Sequence, residues 1–236
     1  NILLRKFFYF IEKILITKRN TEIIFATPAH EKCSIHDFSK TISHIIPYTL
    51  NNQLVSTETY NYRKNHYTPK NKILFIGRLV EYKGIPYLIN SMRNIDAKLH
   101  IVGTGPLEQE LKRMSKDLIN VKFLGRVENL EKEFYDASVL ILPSINAAEM
   151  FGIVQIEAFA RGIPVISTSI PNSGVQLVNK DNHTGYTCAA CSSKALEETI
   201  NKFFLNSYKF DSKIIRKEYL SKYSNEKFKE NLLKIL

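Results

Sequence analysis

From Lys72 onward the chain alternates short apolar runs with longer segments of helical spacing, and this alternation constrains the fold most strongly. The runs are rich in Ile, Val, Leu and Phe, as expected of strands that are buried on both faces of a sheet. Strand–helix–strand crossovers then predict a doubly wound α/β domain around a parallel sheet. The predicted strands are Ile73–Ile76, Leu99–Val102, Val121–Leu124, Val139–Leu142 and Val165–Ile166, and the predicted helices are Ile85–Met92, Leu107–Leu118, Leu130–Ala137 and Gly152–Ala160.

The residues on either side of this pattern have a different character. Residues 51–71 are polar and have no apolar period, which predicts a linker, and two further strands are predicted before it at Ile23–Phe25 and Ile42–Ile46. Helical spacing returns at Ala195–Phe204 and at Ile214–Leu236. The predicted units are an N-terminal part with its linker at 1–70, the α/β domain at 71–210 and C-terminal helices at 211–236.

The charge balance points to an anionic partner without identifying it. Lys plus Arg number 33 and Asp plus Glu number 23, which gives a net charge of +10. A nucleic acid, an acidic membrane face or a phosphorylated ligand would each match that charge. The three cysteines include a C-A-A-C pair at Cys188 and Cys191, without a second pair or a histidine cluster. We therefore expect free thiols in a reducing compartment and no zinc site.

The first residues allow two interpretations. Residues 2–16 are dense in Ile, Leu and Phe but are interrupted by Arg5, Lys6, Glu12 and Lys13. They are neither a membrane span nor a signal peptide, because no run of 18 uncharged apolar residues exists and no small-residue cleavage site follows. Their spacing permits a helix with a broad apolar face, which either packs on its own domain or lies on an anionic membrane.

Two glycine-containing turns follow the first two predicted strands, where ligands bind in such a sheet. After the first strand come Arg78 and Lys83, which together suit a diphosphate or are two solvated surface charges. After the second come Gly103 and Gly105, which let a ligand approach the backbone or simply make a tight turn. Glu108 stands where a dinucleotide fingerprint would have its third glycine, so that fingerprint is incomplete.

Two carboxylates flank the predicted start of the fourth helix. Glu149 and Glu157 are separated by seven residues, and the amides of Phe151, Gly152 and Ile153 would point out of the helix N-terminus as an anion site. Eight helical residues rise about 12 Å, which would place one acid at a sugar and the other at a ribose. Alternatively, Glu149 only complements the helix dipole and Glu157 is a surface acid, although the apolar neighbours of Glu157 suggest burial and hence a partner.

Taken together, these motifs resemble the C-terminal, donor-binding domain of family 4 (group 1) retaining glycosyltransferases. That family has the GT-B fold, in which each domain has a Rossmann-like sheet. The resemblance covers residues 70–205, and it implies that most of the N-terminal, acceptor-binding domain is absent. The motifs that carry it are GRLVEYKG at 77–84, VGTGPL at 102–107, FLGRV at 123–127, EMFGIVQIE at 149–157 and ARGIPVI at 160–166.

The resemblance implies how the donor diphosphate is bound. Arg78 and Lys83 would hold it, together with the amides of Phe151, Gly152 and Ile153. Leaving-group charge would be stabilised electrostatically, so neither a cofactor nor a metal ion is expected. Anomeric configuration would be retained, with front-face attack within an ion pair as the favoured view. The candidate catalytic residues are Glu149, Arg78 and Lys83.

The resemblance also implies how the rest of the donor is bound. Glu157 would bind the ribose hydroxyls, Glu149 would contact the transferred sugar, and Val127 would meet the base through its backbone. Lys132 would lie beside the nucleoside. The implied activity is hexosyl transfer from a nucleotide-diphosphate sugar to a glycan or lipid-linked acceptor in bacterial polysaccharide, lipopolysaccharide or glycolipid synthesis. The expected location is cytoplasmic or peripheral at the inner membrane face, with no nucleic-acid partner.

Two departures from the family pattern lie before the linker. Thr27 and Pro28 stand where a Ser is expected, and Tyr48 and Thr49 replace the usual Asn-Gly after Ile-Pro. Two alternatives to a transferase stay open: a GT-B sugar-nucleotide epimerase, and a truncated module that binds nucleotide sugar without turnover. We expect the 236-residue chain by itself to transfer no sugar, because the acceptor half is missing.

Overall fold

The computed structural model describes residues 21–33, 41–51, 60–61 and 71–236. These residues form a two-stranded parallel sheet and a six-stranded sheet. The strands are β1 (Glu22–Phe25), β2 (Ile42–Ile45), β3 (Lys72–Ile76), β4 (Lys98–Val102), β5 (Val121–Gly125), β6 (Val139–Leu142), β7 (Val165–Ser169) and β8 (Gly185–Ala189). The helices are α1 (Pro28–Lys32), α2 (Ile85–Ser91), α3 (Glu108–Met114), α4 (Glu131–Asp136), α5 (Ile153–Ala160), α6 (Val175–Val178), α7 (Ser193–Asn206), α8 (Ser212–Lys222) and α9 (Asn225–Leu233).

The large sheet has the order β5-β4-β3-β6-β7-β8, and every neighbouring pair is parallel. This is the doubly wound order, in which the chain runs outward from the centre first in one direction and then in the other. The structure therefore confirms the predicted fold class and the strands and helices predicted from Lys72 to Ala160, apart from shifts at their ends. The two strands predicted before the linker are confirmed as β1 and β2.

The sheet separates two apolar clusters. Alternate residues of β3 face opposite sides, with Ile73 and Phe75 in one cluster and Leu74 in the other. Helices α2, α3 and α7 cover the first face, and helices α4, α5 and α8 cover the second. Both faces are thus buried, which is why the strands of this sheet read as continuous apolar runs.

The sequence prediction was wrong on two points, the last strand and the distance between the two glutamates. Strand β8 was not predicted, because Gly185–Ala189 contains Gly, Thr and Cys and carries no apolar run. The helical spacing predicted at Ile214–Leu236 is confirmed as two helices, α8 and α9, and Ser224 caps the start of α9 by accepting a hydrogen bond from the amide of Lys227. The helix after β6 begins at Ile153, so Glu149 lies in the preceding loop and the helical estimate of 12 Å does not apply to it.

The predicted free thiols are confirmed, and burial raises the pKa of Cys188 to about 11. Among the described residues, no helix is both long enough and apolar enough to cross a membrane. The segment 2–16 and most of the predicted linker lie outside the described residues. The division of the chain at residues 70 and 210 stays a prediction, although α8 of the C-terminal part packs on α5 of the α/β domain.

Candidate functional site

The candidate site lies where the strand order reverses, between β3 and β6. The loops that follow these two adjacent strands meet at the carboxyl edge of the sheet, the usual ligand crevice of a doubly wound fold. Two clefts open there. The first cleft has a volume of about 410 Å³, the second about 380 Å³, and both are lined by Ile76 and Gly77.

An ion pair between Lys83 and Glu149 lies in the first cleft. Lys83 comes from the turn after β3, and its Nζ donates to Oε2 of Glu149, which is only 7% exposed. Ser144 Oγ donates to the same oxygen at 2.9 Å, and Ser173 Oγ donates to the Glu149 backbone carbonyl. The other carboxylate oxygen, Oε1, accepts no hydrogen bond from the described residues and is available to a ligand.

The amino end of α5 forms another wall of the first cleft. Gly152 precedes the helix in the left-handed region, with φ 72°, and a Cβ there would meet Leu142 Cδ2 at 2.5 Å. The amides of Phe151, Gly152 and Ile153 have no acceptor among the described residues. Free amides at a helix start favour an anion, so this end of α5 has the geometry that the predicted anion site requires.

Glu157 lines the same cleft from the second turn of α5. Burial raises the pKa of its carboxyl, and the nearby charge of Arg161 partly offsets that rise. The sequence predicted a bonded partner, but no described residue donates a hydrogen bond to this carboxylate. Arg161 instead pairs with Glu131 and donates to the backbone carbonyl of Glu157 at 2.9 Å.

The second cleft is an apolar slot that is lined by three more of the predicted residues. Arg78, Gly103 and Val127 line it, whereas Lys83 does not. The two cations that were expected to act together therefore lie in adjoining clefts. Arg78 is exposed, and its guanidinium has no hydrogen-bond partner among the described residues. The apolar walls of the slot are Ile76, Val102, Val127 and Leu130.

The sequence profile of the family described as "Glycosyl transferases group 1" matches residues 56–223. The chain belongs to this family. The resemblance inferred from the motifs is thereby confirmed.

Curated relatives carry transferase names. The chain is 37% identical over 156 residues to an uncharacterised glycosyltransferase of Methanocaldococcus jannaschii, which covers 59% of this chain and 40% of that relative. It is 32% identical over 140 residues to O-antigen chain mannosyltransferase C of Escherichia coli, covering 58% and 38%. An N-acetylgalactosaminyltransferase of Campylobacter jejuni named for an undecaprenol-linked substrate is 32% identical over 176 residues, covering 71% and 48%. Each match spans less than half of the relative.

Solved structures share the fold of this group 1 glycosyl transferase. Sucrose-phosphate synthase from Thermosynechococcus elongatus superposes with a TM-score of 0.78 at 23% identity, covering 96% of this chain and 60% of that one. Anabaena HepE in complex with UDP and glucose superposes with a TM-score of 0.72 at 16% identity, covering 90% and 61%. These likenesses confirm the predicted Rossmann-like domain of the GT-B type.

The two glycines of the turn after β4 have a packing role. Gly103 has φ 128°, and a Cβ there would lie 1.9 Å from the carbonyl oxygen of Gly77. A Cβ on Gly105 would lie 2.4 Å from the carbonyl oxygen of Leu79. Glycine is needed here because the turns after β3 and β4 touch, so the sequence motif does not by itself require a ligand. Lys132 is exposed on α4, two residues beyond the slot residue Leu130.

Several cleft residues of this group 1 glycosyl transferase were missed from the sequence. His30 and Tyr48 line the first cleft although they precede the linker. The Thr27-Pro28 pair is a recognisable helix start, and Thr27 caps α1. The position of α1 beside the cleft, however, depends on tertiary packing. No motif or spacing in the sequence singled out Ser144, whose hydroxyl bonds to Glu149. Arg126 was noted within a motif, and its presence in the second cleft beside Arg78 had no local signal.

Proposed function

We propose that this domain binds a nucleotide-diphosphate sugar across the two clefts. The observation that carries the proposal is that Lys83 and the amino end of α5 line the same cleft at the crevice of the sheet. Free amides at the start of α5 and a cation on the facing loop together suit a diphosphate. Arg78, on the adjoining cleft, would bind the same diphosphate from the other side of Gly77.

The base of the nucleoside would occupy the second cleft, and the ribose would lie where the two clefts adjoin at Ile76 and Gly77. A planar base fits an apolar slot of about 380 Å³ better than a polar chain would, and backbone groups at Val127 could meet its edge. Glu157 would bind the ribose hydroxyls, because its carboxylate faces the first cleft without a hydrogen-bond donor from the described residues. Lys132 would lie beside the nucleoside, near Leu130.

Glu149 would contact the transferred sugar through Oε1. Its Oε2 is held by Lys83 and Ser144, and an ion-paired carboxylate is better suited to positioning a hydroxyl than to attacking a carbon. Retention of configuration by front-face attack fits that role. The negative charge that develops on the leaving diphosphate would be stabilised by Lys83, Arg78 and the amides of α5, so no step in this scheme uses a metal ion or a cofactor.

The whole enzyme would transfer a hexose to a glycan or lipid-linked acceptor in polysaccharide, lipopolysaccharide or glycolipid synthesis, in the cytoplasm or at the inner membrane face. The transferase names of relatives, including one for O-antigen and one for an undecaprenol-linked substrate, support a transferase over an epimerase. We further propose that the 236-residue chain alone transfers no sugar, since the curated relatives that it matches are at least twice as long as the matched region.

The proposal is tested by a thermal-shift and calorimetry panel of UDP, GDP and ADP with their sugar derivatives. A ligand at 100 times its dissociation constant stabilises a protein by about 2.7 kcal/mol, which such a panel detects easily. We expect one nucleoside diphosphate to bind with a preference over the others. Binding of none of them, at millimolar concentration, would reject a donor site. Transfer of labelled sugar to a bacterial lipid extract by this chain alone would reject the proposed dependence on further chain.

A further inference from the structure

The first cleft has a wall that does not come from the large sheet. His30 of α1 and Tyr48, which follows β2, line it together with Lys83 and Glu149. The His30 and Tyr48 rings make an edge contact at 6.0 Å between centroids, and Tyr48 makes a second edge contact with Phe151 at 5.1 Å. The wall is therefore fixed to the start of α5 by ring packing.

One ring nitrogen of His30 is engaged and the other is not. Its Nδ1 lies 3.2 Å from Thr27 Oγ1, the same hydroxyl that caps α1. Its Nε2 has no hydrogen-bond partner among the described residues. Burial lowers the pKa of the imidazole, so the ring is neutral at neutral pH and adds no charge beside Lys83. A neutral imidazole both donates and accepts, which matches a sugar hydroxyl better than a phosphate oxygen.

Tyr48 supplies a different kind of surface. It is 45% exposed in spite of its contacts with His30 and Phe151, so part of an amphipathic ring faces the cleft. Aromatic faces bury apolar C–H surface, which a sugar ring presents between its hydroxyls. Tyr48 and His30 line the first cleft and not the second, so they lie away from the slot that suits the base.

We propose that His30 and Tyr48 bind the sugar of the donor, with Tyr48 against its ring and His30 Nε2 bonded to a hydroxyl. The inference rests on the proposed function of the cleft and adds a sugar-selective wall from outside the Rossmann-like domain. These residues are positioning residues for the sugar, and the nucleotide binds without them.

Two substitutions of His30 distinguish the roles of its two ring nitrogens, Nδ1 and Nε2. His30→Asn keeps an amide near Nδ1 for Thr27 but removes the group at Nε2, whereas His30→Gln carries an amide to about the Nε2 position. Affinities for UDP, UDP-glucose, GDP and GDP-mannose are measured by calorimetry on the 236-residue chain. We expect His30→Asn to lower the affinity for the nucleotide sugar by about 3- to 10-fold, the scale of one hydrogen bond. The affinity for the bare nucleotide should fall by less than about twofold.

The companion variants complete the test. His30→Gln should recover most of the lost affinity for the nucleotide sugar, and Tyr48→Ala should lose as much affinity as His30→Asn. His183→Asn, at an exposed histidine outside both clefts, should change the affinity for neither ligand. Saturation-transfer NMR should show the sugar protons losing contact in His30→Asn. Equal weakening of nucleotide and nucleotide sugar, or no change in either, overturns the inference while leaving the donor site standing. Failure of the wild-type chain to bind any nucleotide rejects the donor site itself, and the sugar wall with it.

Discussion

Lys83 and Glu149 are joined by a hydrogen-bonded ion pair across the crevice, although they lie 66 positions apart in the chain. Lys83 comes from the loop after β3 and Glu149 from the loop after β6. The pair therefore joins the two loops on either side of the point where the strand order reverses. A diphosphate bound to Lys83 would share the three N–H donors of its ammonium with Glu149. Donor binding would therefore loosen one contact of Glu149 as it brings the sugar close to that carboxylate.

The ion pair should contribute strongly to folding. Lys83→Met leaves the Glu149 carboxylate buried with only Ser144 beside it, and we expect a loss of about 3–5 kcal/mol in the free energy of unfolding. The double variant Lys83→Met/Glu149→Gln should be clearly more stable than Lys83→Met alone, because the unpaired charge is gone. Urea unfolding measures both values. A cost below about 0.5 kcal/mol for Lys83→Met would mean that the pair is not formed in solution.

Arg78 should matter for binding and not for stability. Its guanidinium is exposed and unbonded among the described residues, so Arg78→Ala should leave the urea midpoint unchanged. The affinity for the nucleoside diphosphate should fall by about 1.5–3 kcal/mol, the scale of a charged hydrogen bond. Arg113→Ala, at an exposed arginine on α3, is the matched control for calorimetry. An unchanged affinity in Arg78→Ala would remove this residue from the site.

The two glutamates should respond differently to the two kinds of ligand. Glu157→Gln should weaken the bare nucleotide and the nucleotide sugar by the same factor, since the ribose is common to both. Glu149→Gln should bind the bare nucleotide at least as tightly as the wild type, because Lys83 is released, and should lose affinity for the sugar part. Calorimetry with both ligands gives the two ratios. Identical behaviour of the two variants would contradict this division of roles.

Glu157 should also reduce stability at neutral pH. Its folded-state pKa is raised above the ordinary value of 4.5 by burial, so the folded state favours the protonated carboxyl. That stabilising contribution is complete below pH 4.5 and is lost as the pH rises through the folded pKa. Glu157→Gln, which resembles the protonated acid, should melt near the wild type at pH 4 and above it at pH 7. A melting difference that does not change with pH would refute this.

Gly103 should be required for packing, in contrast to Gly125. Both have positive φ, at 128° and 65°, but a Cβ at Gly125 meets nothing within 4 Å. Gly125→Ala should therefore cost only the backbone strain, about 1–2 kcal/mol. Gly103→Ala should cost clearly more, because its Cβ would overlap the Gly77 carbonyl. Similar losses in urea unfolding would show that the contact between the two turns relaxes easily.

The sequence by itself determined five of the six strands of the large sheet and the family of the chain. Strands such as β3 lie between two helix layers, so both faces must be apolar and the run is visible without knowing its neighbours. Strand β8 was missed because the apolar pattern weakens at this edge of the sheet. The motif spacing also placed Arg78, Lys83 and Glu149 in loops at strand and helix ends and Glu157 within a helix, because those positions follow from local periodicity alone.

Only the tertiary structure decided which of these residues meet. The strand order sets β3 beside β6, and that order depends on how the helices pack over both faces of the sheet, which no local stretch encodes. The strand order therefore brings Lys83 into contact with Glu149 and places Lys83 and Arg78 in adjoining clefts. His30 and Tyr48 come from a segment before the large sheet and reach its crevice only through tertiary packing. Periodicity reports which face of an element is buried, whereas a binding site is made from loops whose contacts are set by the whole chain.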